Sequence, residues 1–270
     1  MYKLQVHAGL GDCLRIINNC RIVTRCKKEK TRCYINYKII KDESWVYTNR
    51  DTFIKLIENV HIFDYIDEVT FDACPAALAN AKEEIYTQET LLPLPIHSTV
   101  SRLPEQFDAT KVHITVQLTG STQNKAFSNH QLYSIFSAFS GDAILFHILD
   151  HPNKFVKNKE LFANFNNVIC RELDFNDNYK LVTLCDLLLA PDSFSKYAML
   201  AADKKGVLVC NKLHYIGTPT GMFEYAFVGI TNNPKVIILG WKNKTKLVNK
   251  VSDFSSDKII KAIRDLIATA

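Results

Sequence analysis

The stretch VHITVQLTGSTQNKAFSNHQLYSIF, residues 112–136, indicates how the chain folds. It opens with an apolar strand pattern at 112–118, passes through a small polar loop and a lysine, Lys125, and continues into a helical period at 129–139. A buried strand that leads through a short loop into a helix is the repeating unit of α/β proteins. We therefore predict a parallel sheet with helices on both faces.

The same alternation extends in both directions along the chain. Further strands are predicted at 2–8, 20–24, 32–36, 44–47, 68–71, 143–149, 167–173, 186–191, 206–210 and 235–240, and further helices at 50–60, 195–202 and 256–268. A proline-rich stretch, 88–111, separates the two sets, and its prolines lack the backbone donor that a helix or a central strand needs.

This interruption predicts two α/β domains. The first covers 1–108 and the second 109–254, followed by a C-terminal helix at 255–270, for which packing back on the first domain is one option. Ligands of such proteins usually bind at the carboxyl ends of parallel strands and between domains. We therefore expect the functional site in a cleft between the two domains.

Composition and charge exclude several classes of protein. Of the 270 residues, 47% are hydrophobic and 23% charged, as in ordinary soluble globular proteins. The net charge of +5 is spread along the chain, apart from a short basic cluster at 25–32, so we expect no nucleic-acid partner. No apolar run reaches 18 residues and no signal peptide is visible, which favours a cytoplasmic protein with at most peripheral membrane contact. The eight cysteines fit no zinc-binding spacing, and we expect free thiols and no metal site.

A glycine-rich turn follows the first predicted strand. The turn Gly9-Leu10-Gly11-Asp12 lacks the third glycine of a dinucleotide-binding fingerprint, because Leu14 stands in its place. The two glycines permit a sharp turn and the close approach of a ligand. Asp12 then stands at the start of a helix, where it either caps that helix or serves as a catalytic carboxylate.

Two loops in the second half have the composition of a diphosphate site. Thr119–Thr122 is a small polar loop at the end of a strand, with Lys125 shortly after it. Pro191-Asp192-Ser193 follows another strand and leads into a helix. Hydroxyls, backbone N–H groups and a cation beside a helix start are the groups that bind phosphate oxygens.

In this order, the motifs strand–GLGD–helix, strand–TGST–Lys125–helix and strand–PDS–helix resemble those of the ADP-heptose:lipopolysaccharide heptosyltransferase family, glycosyltransferase family 9. The resemblance spans residues 9–209. It implies an α/β fold of the GT-B type, two Rossmann-like domains whose parallel sheets face a central cleft. It also implies an inverting, metal-independent glycosyltransferase without a cofactor. Such an enzyme moves a sugar from a nucleotide-diphosphate donor to a hydroxyl of a glycan or a lipid-linked saccharide such as lipopolysaccharide.

The resemblance implies a role for each matching residue. Asp12 corresponds to the general base that takes the proton of the acceptor hydroxyl, and Gly9 and Gly11 make room for that acceptor. The residues around the donor's phosphates correspond to Ser121, Thr122, Lys125, Asp192 and Ser193.

One segment departs from the family pattern. The family follows its Asp-Ser/Thr pair with glycine and, a few residues on, histidine, whereas this chain has Phe194–Tyr197 there. Lys196, within this segment, is an alternative phosphate contact. The departure also motivates a second hypothesis, a catalytically inactive GT-B-like module that binds a glycan or a nucleotide. Three histidines, His7, His113 and His147, lie within strand patterns, and we expect them to be satisfied residues of the core or of strand ends.

Overall fold

A computed structural model describes residues 2–6, 31–36, 65–70, 103, 107–120, 123–149, 155–173, 175–211, 233–240 and 250–269. The chain forms two compact units, Met1–Val100 and Ser101–Ala270. Each unit has its own parallel sheet.

The first unit contains a three-stranded parallel sheet. Its strands are β1 (Tyr2–Val6), β2 (Thr31–Asn36) and β3 (Tyr65–Thr70), in that spatial order. The strands predicted at 2–8, 32–36 and 68–71 are therefore confirmed, with small differences at their ends. The predicted elements at 20–24, 44–47 and 50–60, and the turn at 9–12, lie outside the described residues.

The second unit contains a six-stranded sheet and five α-helices within the described residues. In chain order these are β4 (Val112–Gln117), α1 (Asn129–Ala138), β5 (Ile144–Leu149), α2 (Phe155–Leu161), β6 (Val168–Ile169), α3 (Phe175–Leu184), β7 (Leu187–Pro191), α4 (Ser195–Ala201), β8 (Lys205–Val209), β9 (Val236–Leu239) and α5 (Ser256–Ala268). The spatial order is β6–β5–β4–β7–β8–β9, and all neighbours are parallel. This is the strand order of a Rossmann-type sheet, in which the direction of winding reverses between β4 and β7.

Alternate side chains of β4 face different layers of helices. Ile114 and Val116 are completely buried in the main core, together with residues of α1 and α5. Thr115 points to the opposite face, where its hydroxyl donates a hydrogen bond to the Leu181 carbonyl of α3 at 3.4 Å. The sheet is thus covered on both faces, as the alternation in the sequence predicts.

The C-terminal helix α5 packs within the second unit. Its residues Ile259 and Ile263 are completely buried in the main core. The Gln131 side chain of α1 donates hydrogen bonds to the carbonyls of Val251 and Phe254, at 2.9 and 2.7 Å. These bonds hold the segment that precedes α5 in place. The apolar face of α5 therefore packs against the core of the second unit.

Two features of the second unit differ from the sequence-based prediction. The strand predicted at 167–173 is reduced to Val168–Ile169, because β6 lies at the sheet edge and pairs only with β5, over those two residues. Helices α2 and α3 were not predicted. The first has only seven residues, and the second ends in an apolar run that continues almost directly into β7 and hides the helical period.

Phe107 and Asp108, which were predicted to end the first domain, belong to the second unit and pack beside the start of β4. The Phe107 ring stacks on the His113 ring, with 4.7 Å between the centroids. The Asp108 carbonyl lies 2.9 Å from His113 Nε2.

No helix in the described ranges is both long and apolar enough to cross a membrane. The described cysteines Cys170, Cys185 and Cys210 are free, as predicted, and the last two are buried.

Candidate functional site

The polar loops of the second unit lie where the winding of its sheet reverses. β4 ends at Gln117 and β7 ends at Pro191, and the two strands are parallel neighbours, so their loops emerge at the same edge. We call this the carboxyl edge. In open α/β sheets, ligands bind at this switch point.

Three charged side chains meet at the carboxyl edge and form what we call the lysine–aspartate cluster: Lys125, Asp192 and Lys196. Lys125 Nζ donates a hydrogen bond to Asp192 Oδ2 at 3.2 Å, and Lys196 Nζ donates to Asp192 Oδ1. The Lys196 side chain is 3% exposed, whereas that of Lys125 is 14% exposed. The more accessible cation of the cluster is therefore Lys125.

Burial and charge act in opposite directions on Lys196. Burial alone would lower the pKa of its ammonium, but the attraction of the Asp192 carboxylate outweighs burial, and the pKa is raised. The Tyr197 ring centroid lies 4.7 Å from Lys196 Nζ and adds a cation–π contact. Burial also raises the pKa of the nearby Cys210 thiol, and the charge of Asp192 adds to this effect. Lys196 is therefore charged and Cys210 neutral at physiological pH.

A second network at this edge joins the ends of β4 and β7. Ser193 Oγ donates a hydrogen bond to Gln117 Oε1 at 2.6 Å, and Gln117 Nε2 donates to the Thr119 carbonyl at 2.8 Å. Ser193 Oγ lies 2.9 Å from the buried Ser195 Oγ. Because the Ser193 proton is directed at Gln117, Ser195 is the donor of this last bond. The Ser193 hydroxyl can then accept a further hydrogen bond, but it has no second proton to donate.

The loop that carries Lys125 is held close to the sheet. Gly120 N donates to the Lys125 carbonyl at 2.8 Å, and Asn211 Nδ2, just after β8, donates to the Asn124 carbonyl at 3.1 Å. A Cβ atom at Gly120 would lie 2.8 Å from Lys125 Cβ and 3.1 Å from the Asp192 carbonyl oxygen. Only glycine allows this close approach, so Gly120 sets the position of the lysine relative to Asp192.

The predicted site residues fall into two groups. Lys125, Asp192, Ser193 and Lys196 come together at the carboxyl edge. The other predicted site residues lie outside the described residues: Gly9, Gly11, Asp12, Ser121 and Thr122.

Three further residues of the edge were not predicted: Gln117, Ser195 and Asn211. Gln117 ends an apolar strand and Asn211 closely follows one, so a polar residue at the carboxyl end of a parallel strand is the signal that could have identified them. Ser195 gives no such signal, because a serine at a helix start is usually read as a cap. Within the described part of the chain, no three His, Cys, Asp or Glu side chains converge as a metal site would require.

A different polar network runs through the middle of the sheet towards its amino edge. We call it the histidine chain. Arg171 lies 2.8 Å from His147 Nδ1, His147 Nε2 lies 2.9 Å from His113 Nδ1, and His113 Nε2 lies 2.9 Å from the Asp108 carbonyl. Since arginine can only donate and a carbonyl can only accept, both histidines are neutral with the proton on Nε2. The prediction that both are satisfied core residues is confirmed, whereas His7 lies outside the described residues.

Burial keeps the His147 ring of the histidine chain neutral. The pKa of His147 is lowered to about 3, mainly by burial and in addition by the positive charge of Arg171. His113 also lines a cavity of about 370 Å³ at the amino edge, together with Phe107, Asp108 and Asp186. This cavity lies at the opposite end of β4 from the lysine–aspartate cluster.

No protein-family model matches this sequence, and no curated protein matches it. Solved structures do resemble the fold. E. coli heptosyltransferase WaaC with ADP has a TM-score of 0.59 and 8% identity, over 98% of this chain and 100% of that one. E. coli ADP-heptose lipopolysaccharide heptosyltransferase II has a TM-score of 0.58 and 10% identity, over 100% of this chain and 99% of that one. The glycosyl transferase family 9 protein of Veillonella parvula has a TM-score of 0.57 and 12% identity, over 99% and 97%.

At these identities the likeness establishes the fold. The chain has the α/β architecture of the heptosyltransferases, and the predicted α/β fold with a parallel sheet in each unit is confirmed.

Proposed function

We propose that this protein is a glycosyltransferase of the heptosyltransferase type. It moves a sugar from a nucleotide-diphosphate donor to a hydroxyl of a glycan or lipopolysaccharide-type acceptor, with inversion and without a metal ion. The observation that carries the proposal is the lysine–aspartate cluster, which holds an accessible cation, Lys125, at the switch point of a Rossmann-type sheet. The likeness of the fold to heptosyltransferases, one of them solved with ADP, supports the nucleotide sugar as donor.

In this reaction the leaving diphosphate is the group that most needs electrostatic stabilisation. The bond between the sugar C1 and the diphosphate oxygen breaks, and its electron pair stays on that oxygen. Lys125 stabilises the developing charge, and the hydroxyls of Ser121 and Thr122 contribute to this; the roles of these two residues rest on the sequence motif. A positioned cation acts most strongly in a site with little water, and the Lys125 side chain is 14% exposed.

The acceptor is activated on the other side of the sugar. Its hydroxyl oxygen bonds to C1 from the face opposite the leaving group, which inverts the configuration, and its proton passes to the carboxylate of Asp12. Gly9 and Gly11 leave room for the acceptor beside this base. These three residues lie outside the described residues, so their roles rest on the GLGD motif.

The compartment we propose is the cytoplasm. The free thiols of Cys170, Cys185 and Cys210 agree with a reducing environment.

Ligand-induced stabilisation tests the donor. The full chain is heated in the presence of ADP, GDP, UDP and CDP and of their sugars, and the unfolding midpoint is recorded. A ligand at 100 times its dissociation constant stabilises the folded protein by about 2.7 kcal/mol, which such a measurement resolves. If none of these nucleotides shifts the midpoint, the proposal is wrong.

Replacement of the proposed base tests catalysis. General bases contribute about 10²–10⁴-fold to rate, so Asp12→Asn should lower transfer of a radiolabelled sugar by that factor and leave nucleotide binding intact. Asp142→Asn, which changes an exposed carboxylate of the second unit, is the matched control and should retain full activity. Near-wild-type transfer by Asp12→Asn would refute the assignment of the base.

The second candidate is a binding module without transferase activity. The segment Phe194–Tyr197 motivates it, because this segment lacks the glycine and the histidine of the family pattern and instead places Lys196 against the Asp192 carboxylate. Such a protein would bind the nucleotide diphosphate and show neither transfer nor hydrolysis of any nucleotide sugar.

A further inference from the structure

We infer that Lys196 is a positioning residue of the proposed donor site: it binds one oxygen of Asp192 and thereby keeps the charge of Lys125 available to a phosphate. This inference rests on the proposed function, since it names the residue that controls the phosphate-binding lysine. It assigns Lys196 an indirect role in place of the direct phosphate contact expected from the sequence.

The two oxygens of the Asp192 carboxylate are shared between two lysines. Asp192 has two oxygens, and each accepts from a different lysine, Oδ1 from Lys196 and Oδ2 from Lys125. The Lys196 side chain is 3% exposed and its ammonium also contacts the Tyr197 ring. A ligand arriving at the edge therefore meets Lys125 and not Lys196.

The charges of the three side chains of the lysine–aspartate cluster add up to a positive value. Two ammonium groups and one carboxylate carry a net charge of +1, whereas Lys125 and Asp192 alone would carry none. A phosphate near Lys125 is repelled by Asp192, and Lys196 offsets this repulsion because it lies against the same carboxylate. Lys196 thus leaves the more accessible lysine with the surplus positive charge.

The pairing between Lys196 and Asp192 is permanent. Taking an ammonium out of water is costly unless it stays paired, so the buried Lys196 cannot exchange Asp192 for a ligand. Its helix holds it in place, because Asp192 and Lys196 are four residues apart at the start of α4. Lys125 comes from another loop and can turn from Asp192 to a phosphate.

Three variants test the inference with ADP and inorganic pyrophosphate as probes. Lys125→Met and Lys196→Met should each weaken binding about 10- to 100-fold, the size expected for losing one charge-assisted contact. The double variant Asp192→Asn/Lys196→Met should bind at least about threefold more tightly than Lys196→Met alone, because it also removes the carboxylate that opposes the phosphate. Wild-type affinity of Lys196→Met, or a double variant as weak as the single one, would overturn the inference.

A measurement without ligand separates this inference from the proposed function. The rate at which an N-hydroxysuccinimide ester acetylates Lys125 is followed by mass spectrometry in each variant. The rate should fall in Lys196→Met, because Lys125 then holds Asp192 alone, and recover in the double variant. An unchanged rate in Lys196→Met contradicts the inference even if nucleotides bind, and nucleotides that fail to bind the wild type refute the proposed function alone.

Lys261→Met is the matched control. Lys261 pairs with Asp265 at the same four-residue spacing, but both side chains are exposed. Pairs of this kind contribute little, so this variant should leave ADP binding and the acetylation of Lys125 unchanged.

Discussion

The lysine–aspartate cluster and the histidine chain are both buried polar networks, and strand β4 contributes to the surroundings of each. Gln117 at its end lies at the carboxyl edge beside the cluster, and His113 near its start belongs to the histidine chain. The cluster consists of charged groups and retains a surplus positive charge on its more accessible lysine. The chain consists of neutral rings whose protons each have one acceptor.

The comparison shows what distinguishes a structural buried polar network from one that can bind a ligand. In the histidine chain the ring proton of each histidine is directed at a partner inside the protein, so the two rings are held in one arrangement. In the cluster two lysines share one carboxylate, and the more accessible Lys125 can turn to an anion. The second pattern is typical of binding and catalytic sites.

Acid should destabilise the histidine chain. An unfolded histidine binds a proton below about pH 6.5, whereas folded His147 does so only near pH 3. Between these values protonation favours the unfolded chain, and at pH 4.5 His147 should lower the free energy of unfolding by about 3 kcal/mol. Urea unfolding of the wild type and of His147→Gln between pH 7 and 4.5 measures this, since the variant should lack that part of the pH dependence. Parallel pH profiles for the two proteins would contradict the neutral chain.

Removal of the accessible lysine should affect binding more than stability. Lys125→Met should weaken ADP binding about 10- to 100-fold, equivalent to about 1.4–2.8 kcal/mol. Asp192 keeps Lys196 as its partner in this variant, so the free energy of unfolding should change by about 1 kcal/mol or less. Calorimetric titration and urea unfolding of the same samples measure both quantities. A stability loss larger than the binding loss would make Lys125 a structural residue.

The smallest expected effect concerns the link between the two loops. Gln117→Leu removes the acceptor of Ser193 and the donor to the Thr119 carbonyl, and should lower the free energy of unfolding by about 1 kcal/mol. The control is Ser134→Ala, which removes an exposed hydroxyl bonded within its own helix. Urea unfolding should rank Gln117→Leu as the more destabilising change, and the reverse order would remove Gln117 from the site.

Most of the second unit could be predicted from its pattern of apolar residues. Helix α5 has the predicted bounds, and β4, β5, β7, β8 and β9 lie within about one residue of theirs. Most of these strands are short apolar runs that are buried almost throughout, and α5 is buried along a helical period; both patterns are strong signals in a sequence. The predicted length of the strand at 167–173 was wrong. Its position in the sheet, and not its local composition, limits this strand to the two residues that pair with β5.

The candidate site was predictable only as a set of residues. Lys125, Asp192 and Lys196 were identified because polar loops follow their strands beside helix starts, and because the order of these motifs resembles that of the heptosyltransferase family. Which of them pair could not be predicted, because Lys125 and Asp192 are 67 positions apart and meet only through the adjacency of β4 and β7. Gln117 was missed for the same reason, since its partner Ser193 is 76 positions away.

The sequence by itself determined the alternation of strands and helices, the polar loops at the strand ends and the resemblance to heptosyltransferases, because each of these is a local pattern. The tertiary structure alone decided how the charges are shared. It buried Lys196 against one oxygen of Asp192 and left Lys125 on the other, and it closed His113 and His147 into a neutral chain. The physical reason is that the energy of a buried polar group depends on its neighbours in space, and the strand order sets those neighbours.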